Sequence, residues 1–439
     1  MTIELVRRPG QTATDLGRLE TLLSVRGIAV STTPSYALAG LAPPEKMKGL
    51  HAAATLLVSA IQQRSRILII GDYDADGATS VALMIEGLGL LGARHVEYLV
   101  PNRFEFGYGL SPELVDLALT QRPDLIITVD QGIVSFEGVA VAKAADVRVI
   151  VTDHHLPGQG LPAADAIVNP NQNDCEFPSK ALAGVGVAFY LLIKTRALLA
   201  AARPEGNDRV NLAQLLDLVA LGTVADLVPL DDNNRRLVQS GINRIRAGQA
   251  RPGIQALIEI SGIDHRVLTT TQLAFNVAPR LNAAGRLEDM SLGVACLLST
   301  TDGAHASAAR LDALNLERRE IEHSMQAQAA ELLLDRDRAQ DSAQFGISLF
   351  DSRWHEGVVG ILASRVRAQC ARPVFAFAEA SNGLLKGSGR SIEGLQLRDL
   401  LAEIDAAQQG LLQKFGGHAM AAGVTIRQED FSEFATQFD

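Results

Sequence analysis

Aspartates follow three of the four short β-branched runs in the first half of the chain, directly in two cases and after a single glycine in the third. In open parallel sheets, ligands bind at the carboxyl ends of the strands, so residues that follow such strands converge on one crevice. A further aspartate follows the apolar run 219–225, where a carboxylate that faces solvent is not expected. The resulting candidate cluster consists of Asp72, Asp74, Asp76, Asp130, Asp153, His154, His155 and Asp226.

The residue types in this cluster are those that bind divalent cations in proteins. Carboxylates brought within a few ångströms of one another cannot all stay ionised unless a cation offsets their charge. Oxygen ligands with one or two imidazoles suit Mg²⁺ or Mn²⁺ better than structural zinc, which favours thiolates. The carboxylates are numerous enough for two ions that share a bridging aspartate, and two such ions form the clamp used for phosphoester hydrolysis. The sequence therefore predicts a two-cation hydrolytic site.

Other interpretations exist for the same aspartates. The run 72–77 matches the beginning of a calcium-binding EF-hand loop, but the twelfth position of that loop is Leu83, where a bidentate Glu is required. A phosphate-binding P-loop fails because Gly71 and Gly77 have the wrong separation and no Lys-Ser/Thr pair follows. For any single aspartate, helix capping or a turn after a strand is an equally good interpretation. For the whole set with both histidines, that interpretation is a poor one.

The segments that must position these residues predict an α/β architecture. The runs 66–70, 95–100, 124–129 and 147–152 are rich in Val and Ile, and helix-like stretches separate them. Continuous runs of this length are typical of strands buried on both faces, so we predict a parallel, doubly wound sheet. Later in the chain, three further strands are predicted in a smaller α/β domain, at 345–350, 373–377 and 423–426.

The same patterns divide the chain into four regions. An N-terminal arm without periodicity precedes the first α/β domain, and a helical connector joins that domain to the second one. The connector contains one long amphipathic helix, predicted over 304–335. The predicted regions are the arm at 1–50, the first domain at 51–235, the connector at 236–340 and the second domain at 341–439.

Composition bounds the class of protein. The chain has 439 residues and is 47% hydrophobic, which excludes a disordered or fibrous chain. Its net charge of −10 would steer it away from polyanions, but six of its aspartates belong to the candidate cluster and describe a cation site. Three distant cysteines without metal-binding spacing indicate a reducing compartment. The N-terminus has no signal-peptide pattern and no uninterrupted apolar run is long enough to span a membrane, so we expect a cytoplasmic protein.

Five segments resemble, in this order, the successive signatures of the DHH phosphoesterase superfamily. Their sequences most closely resemble those of the bacterial RecJ family of single-strand-specific 5′→3′ DNA exonucleases, and the resemblance covers about residues 65–425. Several motifs spaced along a chain are far more specific than any one of them. The segments are Gly71-Asp-Tyr-Asp-Ala-Asp-Gly-Ala-Thr-Ser80, Val129-Asp-Gln-Gly132, Thr152-Asp-His-His155, Leu221-Gly-Thr-Val-Ala-Asp226 and Gly416-Gly-His418.

The resemblance implies a site that holds two Mn²⁺ or two Mg²⁺ ions. By motif, Asp130 would bridge the two ions and Asp74 would hold the second of them. Many superfamily members carry a metal-binding His where this chain has Ile70, so Asp72, or water and substrate, would complete the second ion. The residues that would complete the first ion are Asp76, His154 and Asp226.

The resemblance also implies the proton chemistry of the site. His155 would lie near the leaving-group oxygen as a hydrogen-bond donor or general acid. Asp153 would not bind a metal itself but would orient the two histidines.

Basic segments are candidates for holding the substrate. Arg103 would lie at the mouth of the site, where its guanidinium could clamp a phosphate, although a solvated Arg in a glycine-rich turn fits the sequence equally well. A non-periodic segment of the connector carries Arg280, Asn282 and Arg286, and it could either reach the scissile bond or serve as a structural hinge.

Two glycine-rich segments of the second domain are further candidates for phosphate contact. The glycines around Ser388 and Arg390 predict an anion-binding nest of backbone N–H groups. The signature of Gly416, Gly417 and His418 resembles one in which small residues let the backbone approach the substrate and the histidine contacts phosphate.

The function implied by the resemblance is hydrolysis of single-stranded DNA to 5′-mononucleotides in repair and recombination. A single-strand-binding protein and a helicase are the implied partners. Two alternatives are a small-substrate DHH phosphodiesterase, of the oligoribonuclease or cyclic-dinucleotide type, and a non-catalytic nucleic-acid-binding scaffold. RecJ-type enzymes usually carry an OB-fold as well. Only about a dozen residues follow Ile426, so we expect this module to be absent from the chain.

Overall fold

A five-stranded sheet of parallel strands forms the first domain. The computed structural model describes residues 36–158, 160–202, 210–338 and 345–439, together with Ser24. The strand order is β2-β1-β3-β4-β5, and every neighbouring pair is parallel. The strands are Arg66–Ile70 (β1), His95–Leu99 (β2), Leu125–Val129 (β3), Arg148–Thr152 (β4) and Ala166–Val168 (β5). The predicted parallel α/β sheet is confirmed, with β5 as a short additional strand.

The strand order of this sheet reverses between β1 and β3. From β1 the chain passes to β2 on one side, then returns to the other side of β1 and continues outward through β3, β4 and β5. The loops that leave β1 and β3 therefore diverge and open a crevice at the carboxyl end of the sheet. All five residues of β3 and four of the five residues of β1 are buried, which explains their uninterrupted apolar sequences.

Helices cover both faces of the sheet. One face, carrying Ile67 and Ile69, packs against α1, α2 and α5, and the opposite face, carrying Leu68 and Ile70, packs against α3 and α4. The helix α6 is almost entirely buried beside α2. The helices are Leu50–Gln63 (α1), Ala75–Leu90 (α2), Pro112–Leu119 (α3), Phe136–Ala144 (α4), Gly184–Ala202 (α5) and Leu216–Ala225 (α6). This two-sided cover is the doubly wound arrangement predicted from the sequence.

A set of helices connects the two domains. The predicted boundary at 235/236 falls inside α7, and the long helix predicted over 304–335 spans Thr301–Arg338. The first half of this long helix belongs to the core of the first domain, whereas Met325 and Ala329 belong to a core of the second domain. The helix therefore joins the two cores directly. The helices are Asp232–Arg246 (α7), Pro252–Ile260 (α8), Ala278–Leu287 (α9), Ser291–Leu298 (α10) and Thr301–Arg338 (α11).

The connector segment around residue 280, expected to be non-periodic, is helical. A helix begins at Thr270 with a capping box at Thr269, passes through a π-helical turn over Leu273–Val277 and continues as α9. Pro279 lacks an N–H group, and its ring would clash with the carbonyl four residues earlier in a regular helix. That carbonyl belongs to Phe275, so the wider π turn lies where the proline requires it.

The second domain contains a mixed five-stranded sheet in the order β6-β7-β8-β10-β9. The pair β6/β7 is parallel, and the remaining pairs are antiparallel. The smaller α/β domain is therefore confirmed, with β8 and β9 as strands that the sequence patterns did not predict. The elements are Ile347–Phe350 (β6), Val359–Cys370 (α12), Val374–Glu379 (β7), Leu384–Arg390 (β8), Leu397–Ala407 (α13), Lys414–Gly417 (β9), Ala421–Arg427 (β10) and Phe431–Phe438 (α14).

The segment predicted to be an anion-binding nest forms β8, and the nest prediction is wrong. Pairing with β7 on one side and β10 on the other engages its backbone in the sheet. Its glycines have a packing role instead: a Cβ at Gly387 or Gly389 would lie 2.4 Å from the ring of Phe377 or Phe375, respectively. The alternation of glycine with larger residues therefore reflects rings packed across a sheet.

The predicted N-terminal arm lies mostly outside the described residues. Residues 36–49 contain two short 3₁₀ turns, Leu38–Gly40 and Pro44–Lys46, and lead into α1. Among the described residues, one helix, α5, is long and apolar enough to cross a membrane, but 56% of the relevant window is buried inside the protein. That burial is typical of a core helix, which is the place α5 has against the sheet.

Candidate active site

The first part of the site is the loop between β1 and α2, at the point where the sheet reverses direction. Asp74 is the N-cap of α2, and its Oδ1 accepts a hydrogen bond from the N–H of Gly77 at 2.9 Å. Asp72 is buried, and its Oδ1 accepts from the N–H of Tyr73 at 2.8 Å. Each of these aspartates therefore has the ordinary turn or capping role and retains a second carboxylate oxygen.

Asp76 is held by the beginning of a different helix. Its carboxylate accepts hydrogen bonds from the N–H groups of Gly184 at 2.6 Å and Val185 at 3.0 Å. These groups lie at the N-terminus of α5, where a helix dipole favours negative charge. Asp76 is 1% exposed, so α5 both stabilises and fixes this carboxylate at the base of the crevice.

Asp130 lies across the crevice at the end of β3. Its backbone has φ of +60°, a left-handed conformation that is uncommon for residues other than glycine and is concentrated at functional sites. The neighbouring Gln131 is fully buried and donates to the carbonyl of Gly71 at 2.6 Å, which ties the end of β3 to the end of β1. A Cβ at Gly184 would lie 2.5 Å from Oδ1 of Asp130, so only glycine permits this approach.

His154 and Asp226 complete the lower part of the cluster. Nε2 of His154 lies 3.1 Å from Oδ1 of Asp130 and 3.4 Å from Oδ2 of Asp226. These three atoms are buried, and none of them has a hydrogen-bond partner among the described residues. Burial, and the positive charge of His155, lower the pKa of His154 to about 4, so its ring is neutral and Nε2 offers a lone pair. Three converging ligand atoms without partners are the arrangement that a cation would satisfy.

The ligand atoms form overlapping groups. Those of Asp76, His154 and Asp226 lie within 4.8 Å of one another, and so do those of Asp72, Asp74 and Asp130. Asp130 also forms such a group with both histidines, and therefore it links the two sets. The donor set fits two divalent cations with a shared aspartate. Ile70, which stands where many superfamily members have a histidine, is fully buried in the sheet, and Asp72 lies within reach of the second position.

The carboxylates are crowded enough to change their protonation in the absence of a cation. Burial, and the charge of Asp74, raise the pKa of Asp72 to about 8 and that of Asp76 to about 7. Burial, and the charge of Asp76, raise the pKa of Asp226 to about 8 and hold that of Asp130 well above its ordinary value. Full ionisation of these carboxyl groups at neutral pH therefore requires the compensating charge of a cation.

Asp153 accepts hydrogen bonds from both histidines. It is fully buried, and its Oδ1 accepts from the backbone N–H groups of His154 and His155 as well as from Nδ1 of His155 at 2.8 Å. Its Oδ2 accepts from the N–H of Ile133 at 2.9 Å. Burial would lower the pKa of His155, but the hydrogen bond and charge of Asp153 outweigh it and raise that pKa to about 9. This raised pKa favours the protonated form of the His155 ring at neutral pH.

The second domain brings a further histidine to the first. The ring of His418 lies parallel to that of His155, with 6.1 Å between ring centroids. Gly417 adopts φ of +138°, and a Cβ there would lie 2.5 Å from the carbonyl oxygen of Ala421. This glycine permits the tight turn that places His418 at the cleft, which is the space between the crevice of the first domain and the second domain. The neighbouring Gly416 pairs within the sheet.

Arginines from three parts of the chain meet at the cleft. The guanidinium of Arg103 lies over the ring of Tyr73, 4.5 Å from its centroid. Burial first, and then the charges of Arg103, Arg318 and Arg390, lower the pKa of Arg286 to about 10. Arg390 also donates to Oγ of Ser388 at 3.1 Å. Arg390 and Ser388 therefore contact each other, whereas Arg103 contacts Tyr73 and Arg286 donates to the carbonyl of Gly357.

The other two candidates in the connector are engaged in structural contacts. Nε of Arg280 pairs with Asp312 on the long helix α11 at 2.8 Å, and that pairing directs it to the connector helices. Asn282 accepts from the N–H of Ala75 at 2.8 Å, and so connects α9 to the beginning of α2 beside the aspartates of the β1–α2 loop.

Sequence reasoning missed several residues that shape the site. Gly184 allows Asp130 and Asp76 to approach α5, and Tyr108 places its hydroxyl 3.2 Å from Nδ1 of His155. Gln131 belongs to the same motif as Asp130, but its hydrogen bond connects β3 to the end of β1, about 60 residues away along the chain. A signal for Tyr108 existed in the glycine-rich run after Arg103, whereas nothing in the sequence marked Gly184.

Known proteins are similar to this chain over most of its length. The DHH family, N-terminal domain, matches residues 66–223, and the DHHA1 domain matches residues 342–439. The chain is 52% identical over 427 residues to the single-stranded-DNA-specific exonuclease RecJ of Salmonella typhimurium, covering 96% of this chain and 74% of that protein. An exonuclease RecJ structure bound to manganese is 36% identical, with a TM-score of 0.75, and covers 89% of this chain and 94% of its own.

A second RecJ structure, from Thermus thermophilus in complex with Mn²⁺, is 33% identical, with a TM-score of 0.79. It covers 95% of this chain, which spans 58% of that longer protein. High identity over nearly the whole chain, together with the two domain matches, leaves one assignment. The chain belongs to the RecJ family of the DHH superfamily.

Proposed function

We propose that this chain is a metal-dependent exonuclease that hydrolyses single-stranded DNA from its 5′ end and releases 5′-mononucleotides. One observation carries the proposal: buried ligand atoms of Asp130, His154 and Asp226 converge without hydrogen-bond partners among the described residues. The name carried by its RecJ relatives, single-stranded-DNA-specific exonuclease, supports the substrate. Binding of Mn²⁺ by related RecJ structures supports Mn²⁺ or Mg²⁺ as the cofactor.

The residues of the site would divide the chemistry among them. When bound, two divalent cations would supply a hydroxide nucleophile and offset the charge that develops on the phosphate. Asp130 would bridge them. Neutral His154, with Asp76 and Asp226, would hold one cation, and the remaining two aspartates of the β1–α2 loop would hold the other. Those two residues are Asp72 and Asp74.

The proton needed by the leaving oxygen would come from His155. Its bond to buried Asp153 keeps the ring charged and fixes which nitrogen faces the cleft. The hydroxyl of Tyr108 lies beside the same ring nitrogen and would restrict its rotation. The parallel ring of His418, from the other domain, would contact phosphate opposite His155.

The arginines of the cleft would define the end of the strand that enters. A terminal phosphate carries more charge than an internal phosphodiester, and Arg103, Arg286 and Arg390, with the hydroxyl of Ser388, supply cations and a donor for it. Capture of this terminus at a fixed distance from the metal site would set 5′→3′ polarity. A cleft too narrow for a paired duplex would account for single-strand specificity.

The proposed setting is DNA repair and recombination in the cytoplasm. A single-strand-binding protein and a helicase are the proposed partners, since a helicase would supply the single strands that this chemistry consumes. The similarity of the chain to RecJ exonucleases favours exonuclease activity over a small-substrate phosphodiesterase or a non-catalytic scaffold.

The direct test is Mn²⁺-dependent hydrolysis of labelled oligonucleotides that are single-stranded or duplex, and 5′-phosphorylated or 5′-hydroxyl. We expect release of mononucleotides from single strands, with the 5′-phosphorylated substrate preferred. Asp130→Asn should lower the rate by at least about 10³-fold, because it removes the bridging charge. Asp116→Asn, at an exposed position on α3, is the matched control and should leave the rate unchanged.

Two results would overturn the proposal. Equal hydrolysis by Asp130→Asn and the unaltered chain would place the chemistry elsewhere. Activity confined to dinucleotides, tested with a series of chain lengths, would favour the small-substrate phosphodiesterase instead.

A further inference from the structure

A second cavity lies behind the metal site, between the connector helices and the second domain. It has a volume of about 510 Å³ and is lined by residues of the π-helical turn and of α9, α11 and α12. Asn282 and Arg286, both on α9, line it. Since Asn282 is hydrogen-bonded to the first residue of α2, α9 links the wall of this cavity to the segment that carries the aspartates of the site.

The cavity is strongly basic although the chain as a whole is acidic. Four arginines line it, against a single buried glutamate, Glu322. Glu322 is shared by Arg318 at 2.6 Å and Arg365 at 3.1 Å. Among the described residues, Arg319 forms no ion pair, whereas Arg286 donates to the carbonyl of Gly357 and is also a proposed phosphate contact of the cleft. The lining therefore has an excess of positive charge that an anion would balance.

An exposed aromatic side chain stands at the same cavity. Phe275 lines it and is 59% exposed, whereas Leu273 and Val277, in the same π-helical turn, are fully buried. The turn is held open by Pro279, and π-helical turns are frequent at functional sites. A surface phenylalanine beside arginines is the combination that binds a nucleotide, because a base can stack on the ring while cations hold the phosphate.

We propose that this cavity is a second nucleotide-binding subsite, in which Arg319 and Arg365 hold a phosphate and Phe275 stacks on a base. The inference rests on the proposed function, since it needs a nucleic-acid substrate in the neighbouring cleft. The shared chemistry is a nucleoside phosphate. It can belong to the bound strand, or it can be the mononucleotide released by hydrolysis.

The test uses the full chain with Mn²⁺ and a long 5′-phosphorylated single-stranded oligonucleotide, with thymidine 5′-monophosphate as an added inhibitor. The variants are Arg319→Gln combined with Arg365→Gln, and, separately, Phe275→Ala. Arg310→Gln is the matched control, because Arg310 is exposed on the same helix but does not line the cavity. Urea unfolding of each variant checks that the exposed substitutions leave the fold intact.

If the strand occupies the cavity, each cavity variant should raise KM about tenfold. The double arginine variant should also lower the slope of log KM against log salt by about 1.4. Arg310→Gln should leave KM unchanged. If the released mononucleotide occupies it, the inhibition constant of thymidine 5′-monophosphate rises about tenfold and KM stays the same. If both cavity variants had the same KM and the same inhibition constant as the unaltered chain, the proposed subsite would be wrong. Absence of any single-strand hydrolysis by the unaltered chain would instead overturn the proposed function.

Discussion

Replacing Gly184 by alanine tests whether the close approach of α5 to the carboxylates determines the geometry of the site. The added Cβ would lie 2.5 Å from Oδ1, 2.6 Å from Cβ and 2.7 Å from Cγ of Asp130. Contacts under 3.0 Å essentially never occur between real Cβ atoms and their neighbours, so at least one element must move. Rotation of the carboxylate does not relieve the clash, because Cβ of Asp130 is attached directly to the backbone.

The size of the effect follows from these distances. Ordinary contact begins at 3.4 Å, so full relief requires α5 or the end of β3 to shift by about 0.9 Å, and misplacement by about 1 Å costs on the order of 10²-fold in rate. The same shift would lengthen the 2.6 Å bond from Gly184 to Asp76. Overpacking costs about 1–3 kcal/mol, and alanine regains about 1 kcal/mol of helix propensity. We therefore expect a net loss of stability of only about 0–2 kcal/mol but a large loss of activity.

Gly186→Ala is the matched control, because it adds one methyl group two residues later in the same helix. Its Cβ would lie 2.8 Å from Cδ2 of Leu182, the far end of a flexible side chain that can rotate away. We expect this variant to keep its activity and its dependence on Mn²⁺.

The assay measures hydrolysis of a 5′-phosphorylated single strand as a function of Mn²⁺ concentration, with urea unfolding in parallel. For Gly184→Ala we expect a rate about 10²-fold lower and a higher Mn²⁺ requirement. Equal activities for the two glycine variants would refute the reasoning, because they would show that the position of α5 does not control the carboxylates.

Three further predictions address the proton chemistry, the electrostatics and the fold. Asp153→Asn should lower the rate about 10–100-fold at saturating Mn²⁺, because it removes the charge that holds His155 protonated; an unchanged rate would contradict this role. In the presence of a chelator, Asp72 and Asp226 bind protons more tightly in the folded chain, with pKa values of about 8, than in the unfolded chain, with values of about 4. This difference stabilises the folded chain fully below pH about 4, and the stabilisation is lost as pH rises through about 8. The melting temperature should therefore fall over that range in the chelator and fall less with Mn²⁺, whereas a flat profile in the chelator would count against the crowding. Gly389→Ala should lower the free energy of unfolding, measured in urea, by about 1–3 kcal/mol, because the added Cβ would clash with the buried ring of Phe375. An unchanged free energy of unfolding would contradict the packing of this ring against β8.

Much of the first domain could be predicted because its signals are local. Uninterrupted Val and Ile runs indicate strands buried on both faces, and the rule that ligands bind at the carboxyl ends of parallel strands places the residues after them in one crevice. That reasoning linked Asp72 and Asp130 across about 60 residues of sequence, and the structure brings their ligand atoms within 4.8 Å of each other. Residue types then indicated divalent cations without any coordinates.

The second domain was harder to predict because its signals depend on neighbours. A glycine in a strand and a glycine in a loop look alike in the sequence, so β8 was taken for an anion-binding nest. The rings of Phe375 and Phe377, which occupy the space above those glycines, come from another strand. Likewise, the pairing of Arg280 with Asp312 follows from the packing of two helices, and its residue type alone did not indicate that contact.

The sequence by itself determined the parallel α/β architecture, the two-domain organisation and the acidic residues that could bind cations, because these properties depend on residue type and short-range spacing. Only the tertiary structure decided which oxygen atoms remain without partners among the described residues, which histidine stays neutral and which arginines face the cleft. These outcomes depend on distances of a few tenths of an ångström between separate elements, as at Gly184, where one hydrogen atom in place of a side chain allows α5 to meet Asp76 and Asp130.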